Sequence, residues 1–254
     1  MEVLKVERLD EIKEYIKKNV TVSLDELVSV FGVSKNTIRR DVNELVKSGE
    51  FSKIYGGVSV NRSTIIPFQD RSIQNQSAKQ QIAKQAASYV EDGDIIFIDS
   101  GTTTIEMFHF MKHKKVTVIT NNMDFVIAAL PFENLSVFST GGMLERKTKS
   151  LTSIHNKEII KGYNINKAFL ASSGISLKNG VTNSLPVESY LKACVVEKSD
   201  EVFLLVDHHK FDKYSLTTYC SLDQIDYLVT DKQPANQYIE FLKQHDIKWM
   251  VTGK

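Results

Sequence analysis

Cysteine is scarce in this chain of 254 residues, and so is any surplus of charge. The two cysteines, Cys194 and Cys220, form no CxxC pair and have no histidine at metal-ligand spacing. Neither a disulfide scaffold nor a structural zinc site is expected, and no cofactor is implied. The net charge is only +1, which excludes a chain that is basic throughout; any affinity for a polyanion has to be local. No apolar run reaches the length of a membrane span. The opening MEVLKVERLDEIKEYIKK is charged along its length and lacks the apolar stretch of an export leader, so a cytoplasmic protein with no membrane partner is expected. Repeats and low-complexity tracts are missing too. What is present, 42% hydrophobic and 25% charged residues over a length that suits two domains, is an ordinary globular composition.

The first 50 residues read as helical. Val6, Leu9, Ile12 and Ile16 form one apolar stripe at helix spacing. In TVSLDELVSVF, Ser23 can cap a second helix and Glu26 complete a capping box, with Leu24, Leu27 and Val28 on the buried face. Gly32 breaks that helix, and Ser34 can cap a third that runs to about Lys47 and stops at Ser48-Gly49. EFSKIYGGVSV then alternates on either side of Gly56-Gly57, as a hairpin does around a glycine turn. Three short helices and a hairpin make a winged helix-turn-helix over residues 1–60. NRSTIIPFQDR has no helix period and carries Pro67, which suggests a linker over 61–75. From 76 to 254 the pattern changes. A helix from Ser77 to Val90, with Ile82, Ala86 and Tyr89 inward, leads into the β-rich runs DIIFID, VTVIT, LSVFST, KAFLASS, EVFLLVD and DYLVT, with helical segments between several of them. That alternation predicts an α/β domain with a largely parallel sheet.

The third helix decides the reading of the first domain. In a winged helix-turn-helix this helix enters the major groove, N-terminus first. Ser34, Lys35, Asn36 and Thr37 stand at that end, and Arg39 and Arg40 lie a turn further on. Arginine can pair bidentately with guanine and asparagine with adenine, while hydroxyls and helix-start N–H groups suit phosphates. Ile38, Val42 and Leu45 anchor the helix, and Lys53 and Tyr55 on the hairpin are placed to touch the backbone or the minor groove. Between Phe31 and Arg62 six cations stand against three carboxylates, an excess of three where the whole chain has one. A solvated amphipathic helix would account for the charge alone. The capped predecessor, the turn and the hairpin in order favour a reader of double-stranded DNA.

In the second domain, DSGTTT (Asp99, Ser100, Gly101, Thr102, Thr103, Thr104) follows a strand and precedes a helix-like segment. Turn N–H groups, threonine hydroxyls and a helix start suit an anion. A capped structural turn is the alternative. It is neither a Walker loop nor a GxGxxG turn. Other polar groups end later strands: Asn121 with Thr120 and Asn122; Gly141 and Gly142, with Arg146 and Lys149 nearby; Gly174 after Ser172 and Ser173; Asp207; and Lys210 beyond two histidines. The histidines are read as a solvated pair, not a metal site. Ligands of open α/β sheets gather beyond the carboxyl ends of strands, so together these groups suggest a small polyhydroxylated anion such as a sugar phosphate.

The run VSLDELVSVFGVSKNTIRRDVNELVKSGEFSKIYGGV resembles the N-terminal signature of the DeoR family of bacterial transcriptional regulators. The resemblance puts Ser34, Thr37, Arg39, Arg40 and Asp41 in that family's recognition helix, with Asp41 expected to hold one of the arginines. It continues through GDIIFIDSGTTT, TNN, GG, SSGISLKNGVTN and DHHK, and so covers nearly the whole chain. It implies a sensor domain similar in fold to ribose-5-phosphate isomerase and the CoA-transferases, with Asp99 to Thr103 lining an effector site and Lys210 meeting a phosphate. Glu188 falls where those isomerases keep a catalytic carboxylate. Their acidic DGADE-type loop is replaced here by ASSGIS, which argues for binding without turnover. His209 replaces a serine-type residue in DHHKF. Within the family, IPFQDRSIQ, IIFIDSGTTT and YNINKAFLASSG are most similar to the branch that represses myo-inositol catabolism in Gram-positive bacteria, whose effector is a phosphorylated keto-deoxygluconate. The expectation is a homodimeric or homotetrameric repressor of a carbohydrate catabolic operon. The rivals are a sugar-phosphate isomerase with an added DNA-binding module, supported by Glu188 and Asp207, and a regulator that senses no small molecule.

Overall fold

The computed structural model describes residues 2–19, 21–47, 51–60 and 67–253 and divides into two compact units, Met1–Ile66 and Pro67–Lys254. The side chain of Val6, together with Ser48, Gly49 and Arg62, lies outside the described residues.

The first unit runs α1 (Glu2–Asn19), β1 (Thr21–Ser23), α2 (Leu24–Phe31), α3 (Lys35–Lys47), β2 (Phe51–Ile54) and β3 (Gly57–Val60). Ile12, Ile16, Val22, Leu27, Ile38, Val42, Phe51 and Val58 close one core. Four details differ from expectation. The segment before Ser23 is a strand, not helix, and it pairs antiparallel with β3 to give a sheet ordered β1-β3-β2. The Ser23 hydroxyl accepts from Glu26 N–H, but the Glu26 carboxylate accepts from Tyr15 instead of returning to the cap, so only half the box forms. The hairpin pairs Ile54 with Gly57, so the turn residues are Tyr55 and Gly56, and only Gly56 has a positive φ. Gly57 is glycine for another reason: a Cβ there would lie 2.5 Å from the Val22 carbonyl oxygen on β1. Finally, the carboxylate of Asp41 is held by Arg8 on α1, Nε to Oδ2 at 2.8 Å, and not by Arg39 or Arg40.

Of the expected linker, 61–66 lie outside the described residues, and α4 (Phe68–Ile73) follows Pro67 as the second unit's first element. Next come α5 (Gln76–Ala87), which ends before the expected Val90, then β4 (Ile95–Ile98), a 3-10 turn (Thr104–Met107), α6 (Phe108–Met111), β5 (Val116–Thr120), α7 (Met123–Ala129), β6 (Leu135–Ser139), β7 (Met143–Glu145), β8 (Ser150–Thr152), α8 (Asn156–Lys161), β9 (Ile165–Ala171), β10 (Gly174–Ser176), β11 (Gly180–Asn183), α9 (Pro186–Lys198), β12 (Ser199–Leu205), β13 (Thr217–Cys220), β14 (Tyr227–Thr230), α10 (Asn236–Gln244) and β15 (Lys248–Val251). Seven of these strands form one sheet, β15-β14-β12-β9-β4-β5-β6, and every pairing in it is parallel.

Strand alternation sorts its side chains into two cores. Ile96, Ile98, Val118, Phe169 and Phe203 face α5, α6 and α7; Phe97, Ile119, Ala168, Leu170 and Leu204 face α8, α9 and α10. The chain runs outward from β4 through β5 to β6, then returns to β9 on the other side of β4 and continues through β12, β14 and β15. The order therefore reverses between β4 and β9, and the crevice beyond their carboxyl ends is the switch point at which such sheets hold ligands. DSGTTT leaves β4 at that point.

Candidate functional site

On the first unit, Gly32 ends α2 in the left-handed conformation with its N–H on the Val28 carbonyl, and Ser34 Oγ accepts from Thr37 N–H to start α3. The helix presents Lys35, Asn36, Arg39 and Arg40 to solvent while Ile38, Asp41 and Val42 are buried. Lys35 pairs with Asp25 of α2 at 2.5 Å, and Ser34 Oγ lies 2.9 Å from Thr37 Oγ1. Arg39 and Arg40 have no ion-pair partner among the described residues. Lys53 and Tyr55 are exposed at the hairpin, Tyr55 fully so at its tip. The outward side of α3 thus carries two arginines and an amide, and the hairpin tip carries an exposed aromatic ring. Arg39→Ala or Arg40→Ala is expected to weaken operator binding by roughly 1–3 kcal/mol if the side chain reads a base. If it meets a phosphate, the salt slope falls instead and the loss is alike for all sequences. Gel-shift titrations at several salt concentrations separate the two, and normal binding by both variants sinks the assignment.

On the second unit, the DSGTTT turn is built against β9. A Cβ on Gly101 would fall 2.4 Å from the Ala171 Cβ, so only glycine lets the turn lie this close. Thr104 Oγ1 donates into the turn, to the Asp99 carbonyl at 2.6 Å. Thr102 and Thr103 are buried. The segment beyond is a 3-10 turn and then four residues of α-helix, so no long helix dipole points at this loop. The positive field comes from side chains instead.

Four cations converge here. Lys192 on α9, 4% exposed, pairs with Asp99 at 2.7 Å and donates to the Ala171 carbonyl at 2.8 Å. Lys79 on α5, also 4% exposed, donates to the Arg71 carbonyl at the end of α4. Burial first, and then the nearby Lys210 ammonium, bring the Lys79 pKa down to about 8, with Asp207 opposing. Burial likewise lowers Lys210, against Asp207, and Arg71, against Glu188 and Asp99. The carboxylates are equally engaged. Glu188 accepts from Ser150 Oγ at 2.6 Å and from Asn183 Nδ2 at 2.9 Å. Asp99 Oδ2 takes Lys192 and the Ala171 N–H. Asp207 accepts from His209 N–H and so caps the short turn that carries Lys210. Asn121 donates to Ser100 Oγ, while its own buried carbonyl oxygen has no partner among the described residues.

The structure thus brings Asp99 to Thr104, Asn121, Glu188, Asp207 and Lys210 to the switch point. The remaining expected residues are engaged in other contacts, lie exposed or serve packing. Lys149 turns to Asp124 at 2.8 Å and to the Phe68 ring, and Arg146 is exposed between β7 and β8. Gly142 and Gly174 permit close backbone approaches, to the Thr152 and Lys213 carbonyls, and Gly141 takes a positive φ. Of the two histidines His209 is exposed, as expected, whereas His208 is tied down: its Nδ1 meets Asp231 at 2.6 Å and its Nε2 meets Lys232 at 3.0 Å. The described residues contain no metal-binding group of three or more His, Cys, Asp or Glu. Arg71, Lys79 and Lys192 were not anticipated. For Lys192 a signal existed, because it stands four residues after Glu188 and so on the same helix face.

A helix-turn-helix with a wing, carried on the same chain as an open parallel sheet with a charged switch point, defines a DNA-binding regulator with a sensor domain. Residues 8–64 match the DeoR-like helix-turn-helix domain, and residues 74–232 match the DeoR C terminal sensor domain. The chain belongs to the DeoR family. It is 42% identical to the HTH-type transcriptional regulator IolR of Bacillus subtilis over 96% of this chain and 98% of that one. It is 30% identical to the lactose phosphotransferase system repressor of Staphylococcus aureus (95% and 97% covered) and 29% identical to the glycerol-3-phosphate regulon repressor of Escherichia coli (95% and 97%). Ribose 5-phosphate isomerase A of Methanocaldococcus jannaschii aligns over 54% of this chain and 55% of its own, at 17% identity and a TM-score of 0.40, too slight a similarity to carry an argument about chemistry. No described helix is long and apolar enough to cross a membrane.

Proposed function

We propose that the protein represses a carbohydrate catabolic operon and that a phosphorylated sugar, bound at the switch point of the second unit, lowers its hold on the operator. One observation carries the effector half of this reading: the buried Lys79, held on the Arg71 carbonyl, and the half-buried Arg71 and Lys210 gather near Asp207 at the sheet end that also carries Thr102 and Thr103. The cations suit a phosphate, and the threonines, Asn121 and Asp207 suit sugar hydroxyls. Given the 42% identity to IolR, the first operon to test is that of myo-inositol breakdown. Two copies of a winged helix on operator half-sites would give the symmetric homodimer or homotetramer expected of such a repressor, working in the cytoplasm.

The rival reading as an isomerase is the weaker one. A general base needs a lone pair within reach of a substrate proton. Both oxygens of Glu188 already accept from buried donors, and Asp99 is neutralised by Lys192. Glu188 and Asp99 are committed to holding the site together.

Titration of the protein with phosphorylated sugars tests the reading. A ligand bound only by the folded state raises the melting temperature, and the same ligand should release operator DNA. The lowered Lys79 gives this binding a pH signature. An anion stabilises the charged ammonium, so binding takes up a proton where Lys79 is partly neutral, and affinity falls as pH rises through about 8. Phosphate monoesters are already dianionic there, with a second pKa of about 6. Lys79→Met should bind more weakly below that pH and show a flatter profile. If no sugar phosphate shifts the melting temperature, the effector claim goes.

A further inference from the structure

We propose that α4 is a latch: binding of an anion at the switch point draws the Lys79 ammonium off the Arg71 carbonyl and reseats the helix at which the chain enters the second unit. The inference rests on the effector site proposed above.

The helix is too short to stand by itself. It spans six residues, its N-cap is Pro67 with no side-chain cap hydrogen bond, and Gln74 leaves it in extended backbone. A helix this short is not stable without outside contacts, and its placement depends on a few of them. The Phe68 N–H donates to the Lys147 carbonyl at 2.7 Å. The Phe68 ring, 6% exposed, lies beneath the Lys149 ammonium at 5.0 Å, with the Arg71 guanidinium at 5.7 Å. At the other end the anchor is Lys79, whose Nζ donates to the Arg71 carbonyl.

Two members of this set are also two of the switch-point cations. Lys79 answers to Lys210, Asp207 and Arg71, and Arg71 answers to Glu188 and Asp99. A dianionic phosphate is a stronger acceptor for an ammonium than a neutral carbonyl. Once an anion is bound, Lys79 is drawn toward it and the Arg71 side chain joins it, while the Arg71 carbonyl loses its donor. Occupancy of the switch point is thereby converted into a change at one end of α4. No residue in the second unit precedes α4 except Pro67, so this helix is the first that a signal leaving the switch point toward the DNA-binding unit along the chain would move.

The test is amide hydrogen exchange on the full chain, following a peptide that covers Phe68 to Gln74. It is run in chloride and in inorganic phosphate at equal ionic strength, with the melting temperature recorded in both. The expected result is a higher melting temperature in phosphate together with exchange in α4 that is several-fold faster. In Lys79→Met, exchange in α4 should be fast already in chloride and indifferent to phosphate. Lys79→Arg, which keeps a cation, should retain a response. If phosphate raises the melting temperature saturably at millimolar concentration, as a site does and general salt exclusion does not, but α4 exchanges at the same rate or more slowly, the latch is refuted and the anion site stands. If phosphate leaves the melting temperature unchanged, the anion site fails and the latch fails with it. The wild-type arm decides these outcomes even if Lys79→Met does not fold.

Discussion

Exchanging Arg8 for methionine is expected to destabilise the DNA-binding unit by ~3–5 kcal/mol, because it leaves the Asp41 carboxylate buried without its counter-charge. The pair is unequal: the Arg8 side chain is 25% exposed and that of Asp41 2%. Asp41→Asn is therefore the milder change, costing about 1–2 kcal/mol, since the guanidinium left behind can turn to water and the amide can still accept a hydrogen bond. Chemical denaturation of the two variants checks the order. Equal losses would mean that Asp41 is hydrated in solution and that the pair adds little. Operator binding should follow stability, with Arg8→Met failing first on warming, even though Arg8 lies on a different helix from the groups expected to meet DNA.

Lys192→Met is the counterpart in the second unit. It strands Asp99 at 1% exposure and takes a donor from the Ala171 carbonyl and from Asn183. The cost is expected to be ~3–5 kcal/mol by the same physics. It should be accompanied by loss of any ligand-induced rise in melting temperature, because DSGTTT is fixed to β9 through Asp99. Adding Asp99→Asn to Lys192→Met should recover part of the stability and none of the ligand response. A loss below about 1 kcal/mol for the single variant would show that water reaches the pair and that the site is not the dry one described.

Much of the architecture could be read from periodicity. The six apolar β-rich runs all became strands of the parallel sheet, and the inward face of α3, Ile38 and Val42, is buried as its spacing requires. What could not be read is whatever depends on distant segments. Asp41 finds its partner 33 residues upstream. Arg71 and Lys79 lie 20 or more residues before the loop whose field they set, and nothing local marks them. KWMV is too short and too lightly buried to announce β15 as the sheet's last strand. The helix expected after DSGTTT shrank to a 3-10 turn and one turn of α6, so the anion site proposed above rests on different physics, with side-chain cations in place of a dipole. The glycine pair in the hairpin was recognised but misassigned. Gly56 makes the turn, whereas Gly57 makes room for β1, a strand that the helical reading of the first segment had no place for.

The division of labour on α3 has a consequence for how such a protein can change. Ile38, Asp41 and Val42 belong to the interior, and Lys35, Asn36, Arg39, Arg40 and Asn43 belong to the surface. The side chains expected to address DNA, Lys35 with its tie to Asp25 apart, are therefore letters that the core does not use. Duplicated copies of this gene could acquire new target sequences by substitutions at those outward positions, one at a time, without passing through an unfolded intermediate. The interior letters, Asp41 among them, would stay fixed while the address changed.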